Sequence, residues 1–141
     1  MTEQPQRERD LDLSDWEFFV SEDDVVRFAD AVRYRRDALR DGLPPTFPVV
    51  ASAERVSQFL YGVLKLNRRR VVHGGQSYRY FSRLQLGDML RCSLRLVSDE
   101  VKVNRRGEAL RILVREVHMR RQPEDKLVVV ERSTTIERQT G

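Results

Sequence analysis

One amphipathic helix, set between a proline-stiffened lead-in and a long run of alternating residues, most constrains what this chain can fold into. The lead-in is Gly42-Leu43-Pro44-Pro45-Thr46-Phe47-Pro48, where the prolines stop any preceding helix and hold the next residues extended. Val56, Phe59, Leu60, Val63 and Leu64 then follow the spacing i, i+3, i+4, i+7, i+8, which predicts a helix with one buried stripe. Ser52 suits its N-cap and Asn67 its end, since asparagine tolerates the left-handed conformation there. Beyond residue 75 the period becomes two: Leu90, Cys92, Leu94 and Leu96 alternate with Arg91, Ser93, Arg95 and Val97. Ala109 to Met119 and Lys126 to Ile136 are further β-branched runs, separated by Gln122-Pro123-Glu124-Asp125. Asn104-Arg105-Arg106-Gly107 supplies turn chemistry for an adjacent hairpin. The pattern predicts strands over 75–82, 88–98, 109–120 and 126–137 in an antiparallel meander. The fold class is α+β, a single domain whose antiparallel sheet wraps around a central helix.

Upstream, residues 1–13 show no hydrophobic period and read as a mobile arm, leaving 14–141 for the domain. Trp16, Phe18 and Val20 suggest a short strand with one apolar face. Ser21 follows as an N-cap, with Glu22, Asp23 and Asp24 where the helix dipole favours carboxylates. Val25, Phe28, Ala29 and Val32 form the stripe of that first helix. A chain of 141 residues is long enough for one core and short for two.

The net charge of +4 and the run Arg68-Arg69-Arg70 invite a nucleic-acid reading. Against it, 22 acidic residues are interleaved with the basic ones, and no aromatic platform alternates with the three arginines. A solvated face is the simpler account. An anionic ligand phosphate is the other, because guanidinium forks grip phosphate oxygens in pairs. The lone cysteine, Cys92, excludes an internal disulfide and a thiolate metal cluster, and its place in a strand suits a small core residue. No run of eighteen apolar residues occurs and the first thirteen residues are mostly polar, with acidic and basic residues mixed, so neither a membrane span nor a secretory leader is expected, and the expected location is cytoplasmic. His73 and His118 lie 45 positions apart without a local carboxylate–histidine spacing, so no metal is expected. No phosphate-binding glycine loop or serine nucleophile elbow is present, and no cofactor is expected.

Four segments in order, Phe28-Ala29-Asp30-Ala31-Val32, the proline lead-in, His73-Gly74-Gly75-Gln76-Ser77-Tyr78 and Leu86-Gly87-Asp88-Met89-Leu90, resemble the N-terminal, MaoC-like dehydratase domain of the hot-dog superfamily. That domain is found in (R)-specific enoyl hydratases and 3-hydroxyacyl dehydratases. The resemblance implies a hot-dog fold, dimerisation by pairing of sheet edges, and an acyl tunnel at the junction. Catalytic members carry an Asp-x-Asn-Pro-x-His type loop after the first helix. The matching stretch here, Val32 to Leu39, keeps Asp37 but has no histidine beside it. Asp37 reads either as a retained catalytic acid or, among four arginines, as a surface ion-pair partner. His73 lies in a His-Gly-Gly-Gln segment resembling the His-Gly-Glu-Gln of accessory domains. It reads either as a general base or as a residue that fixes the start of a strand by hydrogen bonding. His118 reads as a strand-face residue. Pro44, Pro45, Thr46 and Phe47, with Phe59, read as a rigid wall for an acyl chain, the alternative being a plain linker.

The resemblance therefore implies an acyl-binding subunit without the Asp/His pair, working in a heteromeric enoyl-thioester hydratase or 3-hydroxyacyl-thioester dehydratase of fatty acid metabolism. A separate hot-dog subunit would supply the acid and base, and acyl-CoA or an acyl-carrier-protein thioester would be the ligand, its phosphates meeting Arg68 to Arg70. A stand-alone acyl-CoA-binding or regulatory homodimer is the alternative. Neither nucleic acid nor membrane is an expected partner.

Overall fold

The computed structural model describes residues 14–139; the expected mobile arm, 1–13, lies outside the described residues. The chain runs β1 (Trp16–Phe19), α1 (Glu22–Ala31), α2 (Val49–Ser57), β2 (Val71–Tyr80), β3 (Met89–Val103), β4 (Ala109–Gln122) and β5 (Lys126–Arg138). The five strands form one antiparallel sheet in the order β1-β3-β4-β5-β2, curved over α2. This is the helix-and-sheet arrangement of the hot-dog fold.

α1 starts where expected: the Ser21 hydroxyl accepts from the Asp24 amide at 3.1 Å, and Glu22, Asp23 and Asp24 occupy the first turn. Val25 and Ala29 are buried, and the Phe28 ring meets Phe47 edge-on at 5.7 Å. Val32 departs from the expected stripe. It stands at the C-cap, 47% exposed, because the helix stops a turn early and Arg33 adopts φ 58°.

The proline lead-in is not extended. Phe47 N–H donates to Pro44 O at 2.9 Å and Ala51 N–H to Pro48 O at 3.0 Å, so successive turns feed straight into α2. The helix begins at Val49 behind Pro48, whose φ of −53° already matches the first turn. Ser52 is thus inside the helix, 1% exposed, and is not its cap. Beyond Ser57 the helix widens into a π-helical stretch, Gln58–Val63, closed by Leu64 N–H to Phe59 O at 2.9 Å. Lys65, at φ 58°, takes the left-handed position expected of Asn67. Asn67 keeps φ −87° and caps the short turn Arg68–Arg70 through its side chain.

The expected meander holds for β3, β4 and β5 but not for the fourth strand. β2 begins at Val71 and crosses to pair with β5, at the opposite edge from β1. The chain from Phe81 to Asp88 is too long for a tight hairpin turn and carries it across. A register shift between His73 and Gly75 puts a bulge in β2. A Cβ on Gly74 would lie 3.1 Å from side-chain atoms of both Ile136 and Thr134, so glycine lets the strands approach here without displacing those side chains.

The core fills the space between α2 and the inner sheet face. Phe47, Phe59 and Leu60 pack there with Trp16, Leu90, Cys92, Leu113, Val117, Met119 and Val129. Trp16 Nε1 donates to Ala51 O at 2.9 Å, fastening β1 to the helix. Burial pushes the Cys92 thiol up to about 12, which fits its place as a small core residue.

Candidate functional site

The inner sheet face is divided. Towards β1 and β3 it is apolar; along β5 and β2 it carries polar and charged side chains beneath the helix. Alternation along β5 points Glu131, Ser133, Thr135 and Glu137 inward, all buried, together with Arg115 of β4 and Ser52 of α2. Register sets their neighbours. Glu131 lies opposite Tyr78 and Val117, Ser133 opposite Gln76 and Arg115, and Thr135 opposite His73 and Leu113.

Hydrogen bonds join the group. Arg115 Nη1 donates to Thr135 Oγ1 at 2.5 Å, and Gln76 Nε2 donates to Glu131 Oε2 at 3.3 Å and to the Tyr78 hydroxyl. Arg115 Nε is buried without a partner. Burial raises the Glu131 carboxyl above its ordinary range, opposed by hydrogen bonds from Ser52 and Tyr78 and by the charge of Arg115. Tyr78 is raised by burial and by the Glu131 charge. Tyr80 is pushed up to about 12 for the same two reasons. Chemically, the cluster is a row of hydrogen-bonding groups around a carboxyl whose pKa burial raises, set along the open edge of the sheet.

Glu131 makes stability depend on pH in a definite direction. Its folded pKa lies above the ordinary 4.5, so between the two values the native state keeps a proton that the unfolded chain has lost. The group's contribution is therefore most favourable below about 4.5 and declines as pH rises through the folded pKa. Urea unfolding from pH 4.5 upward should show the stability of the wild type falling relative to that of Glu131→Gln. A difference that stayed flat would mean that the carboxyl titrates normally.

At the end of β2, Tyr80 donates to Pro45 O at 2.6 Å and forms one wall of an open pocket of about 430 Å³ with Leu43, Pro45, Arg83 and Leu84. The residues expected to build an acyl wall are split around this point. Pro45 lines the pocket and Thr46 is exposed, whereas Pro44 and Phe47 are buried and Phe59 belongs to the core.

Asp37 forms an exposed ion pair with Arg35 at 2.9 Å. His73 sits on β2 and is exposed, on a different element from Asp37. His118 contacts Glu116 at 2.9 Å, and Arg132 holds the same carboxylate at 2.9 Å. Of the three arginines, Arg68 stacks over the Tyr61 ring at 3.8 Å and Arg70 donates to Gln139 O at 3.1 Å. Among the described residues no group of three His, Cys, Asp or Glu side chains could hold a metal ion, and no helix is long and apolar enough to cross a membrane.

The Glu131 cluster was not singled out from the sequence. The only signal was the inward set Val129, Glu131, Ser133, Thr135 and Glu137, which by composition reads as a solvent-facing side of a strand.

Comparison with known proteins places this geometry. The family described as "FAS1-like, dehydratase domain region" matches residues 11–130. A curated UPF0336 protein of Thermobifida fusca is 46% identical over 50 residues, which is 35% of this chain and 33% of that protein. The match thus spans about a third of that relative's length. Among solved structures, the HadBC (3R)-hydroxyacyl-ACP dehydratase complex of Mycobacterium tuberculosis superposes with a TM-score of 0.64 at 21% identity, covering 87% of this chain and 94% of that one. A monoamine oxidase regulatory protein of Archaeoglobus fulgidus gives 0.65 at 14% identity, covering 91% and 90%. At these identities the likeness is one of fold.

Proposed function

Since the chain belongs to the FAS1-like dehydratase-region family, we propose that it is an acyl-thioester-binding subunit of a heteromeric (R)-specific enoyl-thioester hydratase or 3-hydroxyacyl-thioester dehydratase, contributing no acid–base pair of its own. Hydration of an enoyl thioester needs a group that activates water, a proton for the α-carbon and a donor on the thioester oxygen. The reading rests chiefly on Asp37, whose carboxylate is taken up by Arg35 at the exposed surface while His73 stands on a separate strand. A second hot-dog subunit would bring the missing pair. β2 offers that subunit a place, being a ten-residue edge strand paired with β5 on one side. The HadBC relative is itself a complex. The pocket beside Pro45 and Tyr80 would receive the acyl thioester, and Arg68 to Arg70 its phosphates.

The test is hydration of crotonyl-CoA and of a longer enoyl-CoA, by this chain alone and together with a co-expressed Asp/His-bearing hot-dog protein from the same genome. Activity only in the mixture supports the reading. Activity of the chain alone that Asp37→Asn or His73→Ala abolishes overturns it.

A further inference from the structure

We propose that the acyl group bound against this chain is short, because the inner face of β2 leading away from the pocket is lined by hydrogen-bonding side chains instead of alkyl-binding ones. The proposal rests on the acyl-thioester reading above and adds the class of acyl group. Tyr80, at the pocket wall, shares its face of β2 with Tyr78 and Gln76. Successive positions on one face of a strand are about 7 Å apart, so only a few carbons fit before the chain meets the Tyr78 hydroxyl.

Beyond that point the floor is Glu131, Ser133 and Thr135, with Arg115 behind them and Ser52 above, each less than one-tenth exposed. A methylene laid against these groups would take water from Gln76 and Tyr78 and offer no hydrogen bond in return. It would also lie beside Arg115, whose Nε already lacks a partner. The large apolar side chains that could receive an alkyl tail, Phe47, Phe59 and Leu60, are already packed together in the core. Extra tail length therefore adds no affinity.

Calorimetric titration of the full-length chain with butyryl-CoA and decanoyl-CoA tests this. An apolar tunnel would tighten binding about fourfold per methylene, a thousandfold or more across the six that separate the ligands. The expected result is a ratio of less than about tenfold, and a larger preference for decanoyl-CoA overturns the proposal. Replacing both buried charges together, Arg115→Met with Glu131→Leu, should steepen the dependence on chain length. Thermal melting would first establish that this variant is folded, and an unchanged dependence in the folded variant would show that these residues do not set the limit. Binding of neither ligand would instead remove the acyl-thioester reading itself, so the two failures are distinguishable.

Discussion

Phe47→Ala is expected to cost about 3–5 kcal/mol of folding stability, in the range for emptying a buried aromatic site. Phe47 is fully buried, with Phe28 edge-on at 5.7 Å and Phe18 tilted at 6.3 Å. It joins three pieces of chain: β1, α1 and the turn that leads into α2. Neighbours held by three separate backbones cannot collapse easily into the void, which places the cost towards the upper end. With a total stability of about 5–15 kcal/mol for a domain of this kind, the variant would be marginal at 37 °C. Urea unfolding followed by Trp16 fluorescence would measure it. A loss below about 1 kcal/mol, accompanied by weaker acyl-thioester binding, would put Phe47 at the ligand instead of in the core.

Removing one of the two opposite charges buried beneath α2, Arg115 and Glu131, should have an effect of similar size. Glu131→Ala removes the charge that opposes the desolvation of the buried Arg115 guanidinium, and leaving a buried charge uncompensated costs up to about 3–5 kcal/mol. The double replacement Arg115→Met with Glu131→Leu should recover most of that loss, because buried opposite charges replaced together by apolar groups of similar volume are often neutral in cost. The four proteins form a double-mutant cycle, and the expected coupling is about 2 kcal/mol or more. Additive effects would mean that the two charges are screened from one another.

How far these features could be read in advance depended on whether they are local. Helix α1 was legible because Ser21, its three acidic followers and the Val25–Ala29 spacing all act within one or two turns. The long strands were equally legible, since Leu90, Cys92, Leu94 and Leu96 repeat at a period that only a half-buried strand satisfies. The errors lie where a distant partner decides. Ser52 has the chemistry of a cap, yet Pro48 supplies helical geometry four residues earlier, and Ser52 is carried inside the helix, where its hydroxyl donates to Val49 O. Asn67 yielded the left-handed position to Lys65, because the π-helical stretch moved the point at which the helix ends.

Strand order is the plainest case. Nothing within 71–80 states that β2 will pair with β5 rather than with β3, its neighbour in sequence. The candidate site was hidden for the same reason. Alternation shows that Glu131, Ser133 and Thr135 share a face of β5, but composition assigns that face to water. Only the placement of α2 over it, with Arg115 from the adjacent strand, turns it into an interior. Conversely Phe47, hydrophobic and flanked by prolines, looked available to a ligand until Phe18 and Phe28 were seen to enclose it.

The bulge at Gly74 also affects how such chains behave in one another's company. A flat strand with one side unpaired can template any extended segment it meets, and identical copies can stack on it without limit. Here the irregularity divides β2 into Val71–His73 and Gly75–Tyr80, and a bulge bends and twists the strand that contains it. Neither piece is long. A folded subunit shaped to that bend can still dock, whereas a stray unfolded chain finds only a few residues in register. A surface suited to assembly is in this way kept from seeding fibrils.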